Sequence, residues 1–193
     1  APILITADEI TLRGEGTIKM VAADDCDAVL LVSGDYNRVE GITIDGNAAG
    51  VPTGRGEGLR VTGAYNQISG VTAQNTVENL TAATFFDNGD AAIGNIYSKC
   101  ISYNSGWTGF RMGGDYATVR DCQAINHNDN GLSTTGQDNE SIVVDGFYST
   151  GGTSSSAVTG ILIDNGNSGT TGYMVRRAEL RNIVINAGAS AYV

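Results

Sequence analysis

The chain repeats itself. Residues 58–75, GLRVTGAYNQISGVTAQN, align without a gap on residues 109–126, GFRMGGDYATVRDCQAIN. Gly58 matches Gly109, Gly63 matches Gly114, Tyr65 matches Tyr116, Val71 matches Cys122, Ala73 matches Ala124 and Asn75 matches Asn126. The stretch from Val29 fits the same frame through Gly34, Tyr36, Val39, Ile42 and Ile44, and further copies begin at Gly131 and Gly160. The starts at Val29, Gly58, Gly109, Gly131 and Gly160 lie 29, 51, 22 and 29 residues apart. The interval of 51 reads as two units, with the missing copy near Thr84-Phe85-Phe86. Self-similarity at this period predicts an array in which each unit buries its apolar face against the next.

Within a unit, short runs alternate apolar and polar, as in Leu59-Arg60-Val61 and Ile42-Thr43-Ile44. That is the period of a strand with one buried face. Gly, Asn and Asp between the runs tolerate the left-handed backbone of a sharp bend. No unit holds a helical stripe. The expectation is an all-β, right-handed, single-stranded parallel β-helix of about seven coils, with residues 1–193 forming one domain. Composition agrees: 27 Gly, 2 Pro and 17% charged residues suit neither a helical bundle nor a disordered tail.

The same numbers exclude several partners. No apolar run approaches the length of a membrane span, so membrane insertion is not expected. A net charge of −10, with no basic cluster beyond Arg176-Arg177, argues against nucleic acid. Cys26, Cys100 and Cys122 are too few and too scattered for a disulfide framework. The chain starts at Ala1 with no signal peptide and reads as a processed form or a piece of a longer protein.

Stacked coils about 4.8 Å apart place equivalent positions in columns. Ile42, Val71, Cys100, Cys122, Phe147 and Ile183 are expected in one inward column, the cysteines as small core side chains. Tyr36, Tyr65 and Tyr116 recur at one corner, as a stack of turn aromatics or a ligand platform. Asn75, Asn104 and Asn126 close one strand and are expected to form an amide ladder.

These Gly-led repeats ending in Asn resemble the pectate-lyase-like right-handed β-helix superfamily. The opening Ile10-Thr11-Leu12-Arg13-Gly14-Glu15-Gly16-Thr17-Ile18, with Ile42-Thr43-Ile44-Asp45-Gly46-Asn47, is similar to the first coils of bacteriophage tailspikes and related polysaccharide depolymerases. The resemblance spans nearly the whole chain and is one of scaffold. It implies a polysaccharide partner, a homotrimer covering the ends of the solenoid, and an extracellular or virion-tail location. The Asn-Thr-Asp, Asp-Asp and Gly-His-Gly set of polygalacturonases is absent, as is the Asp-Pro-His-Glu string of mannuronan epimerases, so no family catalytic residue carries over.

Loop length supplies the positional clue. The corner after the Asn ladder is short at residues 105–108 and 127–130 and long at 47–57, 76–83 and 152–159, and such insertions wall a groove along one side of a solenoid. Arg55, Glu57, Glu78, Trp107, His127 and Asp129 fall there. Glu57, Glu78 and Asp129 are candidates for the carboxyl pair of a glycoside hydrolase. In a lyase or epimerase, His127 or Tyr103 takes a proton beside a uronate neutralised by Arg55, Arg60 or Arg111. Trp107 offers a face to a sugar in either case. Beside these stand plainer readings: solvated turn formers for the carboxylates and His127, an exposed face for Arg60 and Arg111, and packing for Trp107.

Three functions follow: recognition of a bacterial surface or extracellular polysaccharide with or without depolymerisation, a non-catalytic shaft or adhesin, and a uronate lyase or epimerase. No cofactor is expected. The acidic turns at residues 24–27 and 164–167 lack the spacing of a calcium loop, so no metal is expected either.

Overall fold

The computed structural model describes residues 2–20, 28–48, 56–77, 83–87, 91–134, 140–151, 158–163, 175–186 and 191–192. These form a parallel β-helix. The first sheet stacks eight strands: Ile3–Ile5, Ala28–Val32, Glu57–Val61, Ala83–Asp87, Thr108–Met112, Asn130–Ser133, Val158–Leu162 and Ala191–Tyr192. The second stacks Thr11–Arg13, Arg38–Glu40, Gln67–Ser69, Ile96–Ser98, Ala117–Arg120, Ile142–Asp145 and Ala178–Arg181. The third stacks Thr17–Lys19, Thr43–Asp45, Thr72–Gln74, Ile101–Tyr103, Gln123–His127, Tyr148–Gly151 and Val184–Asn186. Each coil visits the three sheets in turn, and every strand pairs in parallel with its counterparts one coil away. Among the described residues no helix is long and apolar enough to cross a membrane.

The corners explain the repeat. At the turn from first to second sheet, Glu9, Tyr36, Tyr65, Gly94 and Tyr116 all take left-handed backbone, with φ between 57° and 66°. At the next turn Gly41, Gly70, Lys99, Asp121, Gly146 and Asn182 do so, and at the third Asn47, Asn75, Asn104 and Asn126. One left-handed residue bends the chain sharply from one sheet into the next without a long loop. Its amide is not left idle: Tyr65 donates to the Ile93 carbonyl at 2.7 Å and Asn75 to the Tyr103 carbonyl at 3.0 Å, each one coil on.

Between the corners the inward residues form columns. Leu30, Leu59, Phe85, Phe110 and Leu132 share one register position and are wholly buried, and Phe85 stacks on Phe110 at 4.6 Å between ring centres. Val71, Cys100, Cys122 and Phe147 are buried as expected, with Ile42 nearly so and Ile183 partly. Cys100 and Cys122 are both unbridged, and the Cys100 amide donates to the Cys122 sulfur at 3.4 Å. Cys26 lies outside the described residues. The Asn ladder also forms: Asn104 Nδ2 donates to Asn75 Oδ1 at 3.2 Å, and Asn126 continues it onto Asn104.

The glycine that opens each unit sits where the first sheet comes closest to the third. A Cβ on Gly109 would stand 2.6 Å from the Gly131 carbonyl oxygen and 2.9 Å from the Ala124 methyl. Gly58 and Gly131 are confined alike, and in the Phe85 coil Thr84 fills the place, buried and hydrogen-bonded to Thr76. Gly109→Ala is therefore expected to lower stability by about 1–3 kcal/mol, the range for overpacked cores, read from urea melts. A midpoint unchanged from the parent would mean that the coils part without strain.

Candidate functional site

The densest chemistry lies on the outward face of the first sheet. Arg60, Phe86 and Arg111 occupy one register position on three successive strands. Both guanidiniums rest on the same ring, Arg60 at 5.2 Å from the Phe86 centroid and Arg111 at 4.8 Å. This arrangement gains from cation–π attraction and holds two long side chains flat against the sheet. Glu57 binds Arg60 through both oxygens, with Nε to Oε2 at 2.7 Å and Nη2 to Oε1 at 2.9 Å. Gly58 and Leu59 both lie inside, which breaks the alternation and lets Glu57 face the same side as Arg60. Burial draws the Arg111 guanidinium below its usual range, opposed by the Glu57 charge and reinforced by Arg60.

At the edge of this face the chain turns in from the third sheet through Ser105-Gly106-Trp107-Thr108. The Ser105 hydroxyl donates to the Thr108 carbonyl at 2.7 Å and fixes the turn. Trp107 is half-buried, and its carbonyl accepts the Asp129 amide of the next coil at 3.0 Å. Thr108 Oγ1 donates to Asp129 Oδ2 at 3.4 Å, and the side-chain Nδ2 of Asn130 donates to the same oxygen. Partial burial raises the Asp129 carboxyl above its ordinary range, the Thr108 bond working against that. Trp107 and Asp129 are thus neighbours, in line with the strands that carry Arg111 and Ser133.

The other expected residues separate from this cluster. Glu57 lies in a strand, and Asp129 just before one, on coils three steps apart in the sheet, about 14 Å along the stack, wider than the carboxyl spacing of a glycoside hydrolase. Tyr103 is exposed on the outer side of the third sheet, beside a groove lined by Lys19, Asp45, Asn47, Ala48, Asn75 and Asn104. Arg55 and Glu78 lie outside the described residues, as do the acidic turns at 24–27 and 164–167.

His127 departs furthest from its expected place. Instead of lying on the rim, it is wholly buried, and Nε2 meets the Ser149 hydroxyl at 2.8 Å while Nδ1 has no hydrogen-bond partner. The cause is local: Asn126 takes φ 58° and the pairing to Tyr148–Gly151 slips between Ile125 and His127, which turns the ring inward. Burial lowers its pKa from 6.5 to about 4. A neutral ring with its proton on Nε2, donated to Ser149, leaves only an idle lone pair, a smaller loss than an unpaired N–H.

Two polar features were not foreseen. Asn37, Asn66 and Asn95 form a second, fully buried ladder in which Asn66 Oδ1 accepts the Asn37 amide at 2.8 Å and Asn95 Oδ1 accepts the Asn66 amide at 2.7 Å. Their spacing of 29 residues, one place after Tyr36, Tyr65 and Gly94, was the available signal. Asp87 stands in an inward column between Val61 and Met112, where the repeat otherwise places apolar side chains. Among the described residues no group of three or more His, Cys, Asp or Glu could hold a metal ion. The chain matches no family model, no curated protein and no solved structure, so the likeness to known β-helices is one of architecture.

Proposed function

We propose that the protein recognises a polysaccharide along the outward face of its first sheet, in the manner of the tailspike-like β-helices it resembles, outside the cell or on a virion tail. The observation that carries this reading is the corner at the rim of that face, where the backbone carbonyl of half-buried Trp107 accepts the Asp129 amide and so sets an indole and a carboxylate on adjacent coils. An indole supplies a flat apolar surface for the C–H face of a sugar, and a carboxylate beside it accepts hydroxyls. The Arg60–Phe86–Arg111 stack continues the face and suits a glycan bearing carboxylates, since guanidinium pairs with carboxylate through two parallel bonds. The reading is one of recognition: the candidate carboxylates Glu57 and Asp129 lie about 14 Å apart along the stack, and His127 is buried inside the coil.

The test is affinity electrophoresis and calorimetry with uronate-containing and neutral bacterial polysaccharides. Trp107→Ala is expected to weaken binding about tenfold, roughly the loss of one stacking contact, while the melting curve stays in place. Equal affinity in parent and variant for every polysaccharide retained would overturn the assignment. A second reading, a rigid shaft, is favoured by the unbroken stacking of the three sheets and predicts no retention at all.

A further inference from the structure

We propose that Cys100 and Cys122 form a disulfide bond that joins two successive coils, made before the core closes over them. The two residues stand at equivalent places, each directly ahead of the strands in which Ile101 pairs with Gln123. They are neighbours in the inward column that Val71 and Phe147 continue on either side. Parallel strands lie about 4.8 Å apart, inside the roughly 4.4–6.8 Å between Cα atoms that a disulfide spans. Both thiols are unbridged in the structure, and the Cys122 sulfur already sits 3.4 Å from the Cys100 amide. It points toward the coil of its partner, with the Tyr97 carbonyl at 3.5 Å.

The Cys100 sulfur tips toward the preceding coil, where it donates to the Ile68 carbonyl at 3.4 Å. A thiol is a weak donor, so little is lost when that contact is given up. Bond formation requires Cys100 to leave its present χ1 for another staggered position. The oxidant is a low-molecular-weight disulfide. One cysteine thiolate attacks it and expels a small thiolate, which takes up a proton. The second cysteine then attacks the mixed disulfide and expels the other small thiolate. The two cysteines lose two electrons and two protons, and the small disulfide gains both.

Burial sets when this can happen. Both cysteines are wholly buried, and burial, with the Cys100 thiol alongside, pushes the Cys122 thiol above its ordinary range. A protonated thiol is a poor nucleophile, so the closed core resists the oxidant. The same packing shields the bond from reductant once it is made. The window is therefore the interval before these coils pack. The bond joins residues 22 apart, and the stretch it closes carries Trp107 and Arg111. By restricting the unfolded chain, it shifts the folding equilibrium by about two hundredfold. The coil that carries the proposed recognition face is thus the one that is stapled, whatever that face binds.

In the experiment the full chain, with Cys26→Ser so that no third thiol competes, is refolded from urea in reduced and oxidised glutathione. A fully reduced control is refolded beside it. Trypsin cuts after Lys99, Arg111, Arg120 and Arg176, so the bond links peptide 100–111 to peptide 121–176 in the mass spectrum. That linked pair is expected as the main product, with a urea midpoint above the reduced control. The same glutathione mixture added to the folded, reduced chain is expected to produce it only as fast as the chain unfolds. Cys100→Ala and Cys122→Ala should each melt at the same urea concentration with and without glutathione, whatever either substitution costs in stability. Absence of the linked pair after refolding, a bonded form that melts below the reduced one, or rapid oxidation of the folded chain would overturn the proposal.

Discussion

Asp87→Asn is expected to stabilise the protein at neutral pH by up to about 4 kcal/mol, and the gain should vanish near pH 4. Asp87 is wholly buried, and burial raises its pKa from 3.8 to about 7 against the one hydrogen bond that favours its charge, from Asn95 Nδ2 at 3.0 Å. Its second oxygen has no partner, and the nearby Tyr97 hydroxyl has none either. The sign follows from proton binding. Below about pH 4 both folded and unfolded chains hold the proton. Between pH 4 and 7 the unfolded chain releases it while the folded one keeps it, so stability falls as pH rises. Above 7 the penalty is constant, roughly three pKa units at 1.4 kcal/mol each. Asparagine has the shape of the protonated acid and no proton to lose. Urea melts of parent and variant from pH 4 to 8 decide the matter: a difference in stability that does not change with pH would show that Asp87 titrates normally.

His127→Gln should do the reverse. Buried beside Ser149, the imidazole resists protonation, and its pKa falls from 6.5 to about 4. As pH drops through 6.5 the unfolded chain gains a proton that the folded chain refuses until about 4. The contribution of this group is therefore fully present above 6.5 and falls away on acidification, by about 3 kcal/mol. A glutamine amide keeps a bond to the Ser149 hydroxyl without a titratable ring, so the variant should be spared this acid-side loss. The two interior groups act in opposite directions across almost the same pH range. Each single variant should unmask the slope of the other, and the double variant should lose both. Parallel slopes for parent and His127→Gln between pH 4 and 6.5 would mean that the folded protein admits the proton.

Much of the interior is legible in the repeat, but these two groups are not. The Val71–Cys100–Cys122–Phe147 column and the Asn75–Asn104–Asn126 ladder follow from repeat spacing alone, because a parallel solenoid turns equal spacing into vertical contact. Trp107 and Asp129 were placed on one corner for the same reason. His127 was expected beside them, and a single left-handed Asn126 turned it inside. Periodicity locates a residue along the coil but does not say to which side of a bend its side chain swings. Asp87 was invisible for a related reason. It occupies a column whose other members are Val and Met, and nothing in its own neighbourhood of the sequence marks it as buried.

The sequence by itself determined the architecture: a repeated short-strand unit with no helix can satisfy its backbone only by pairing with the next copy, so the stacking direction, the columns and the glycine positions all follow. Only the tertiary structure decided which polar side chains met. The contact of Arg60 and Arg111 on Phe86 and the lean of the Tyr65 ring over Gly94 join residues from different coils, while the hold of Glu57 on Arg60 needs a break in the alternation of a single strand. Such details change no hydrophobic period, yet they set the face each side chain takes, and with it the chemistry of the surface.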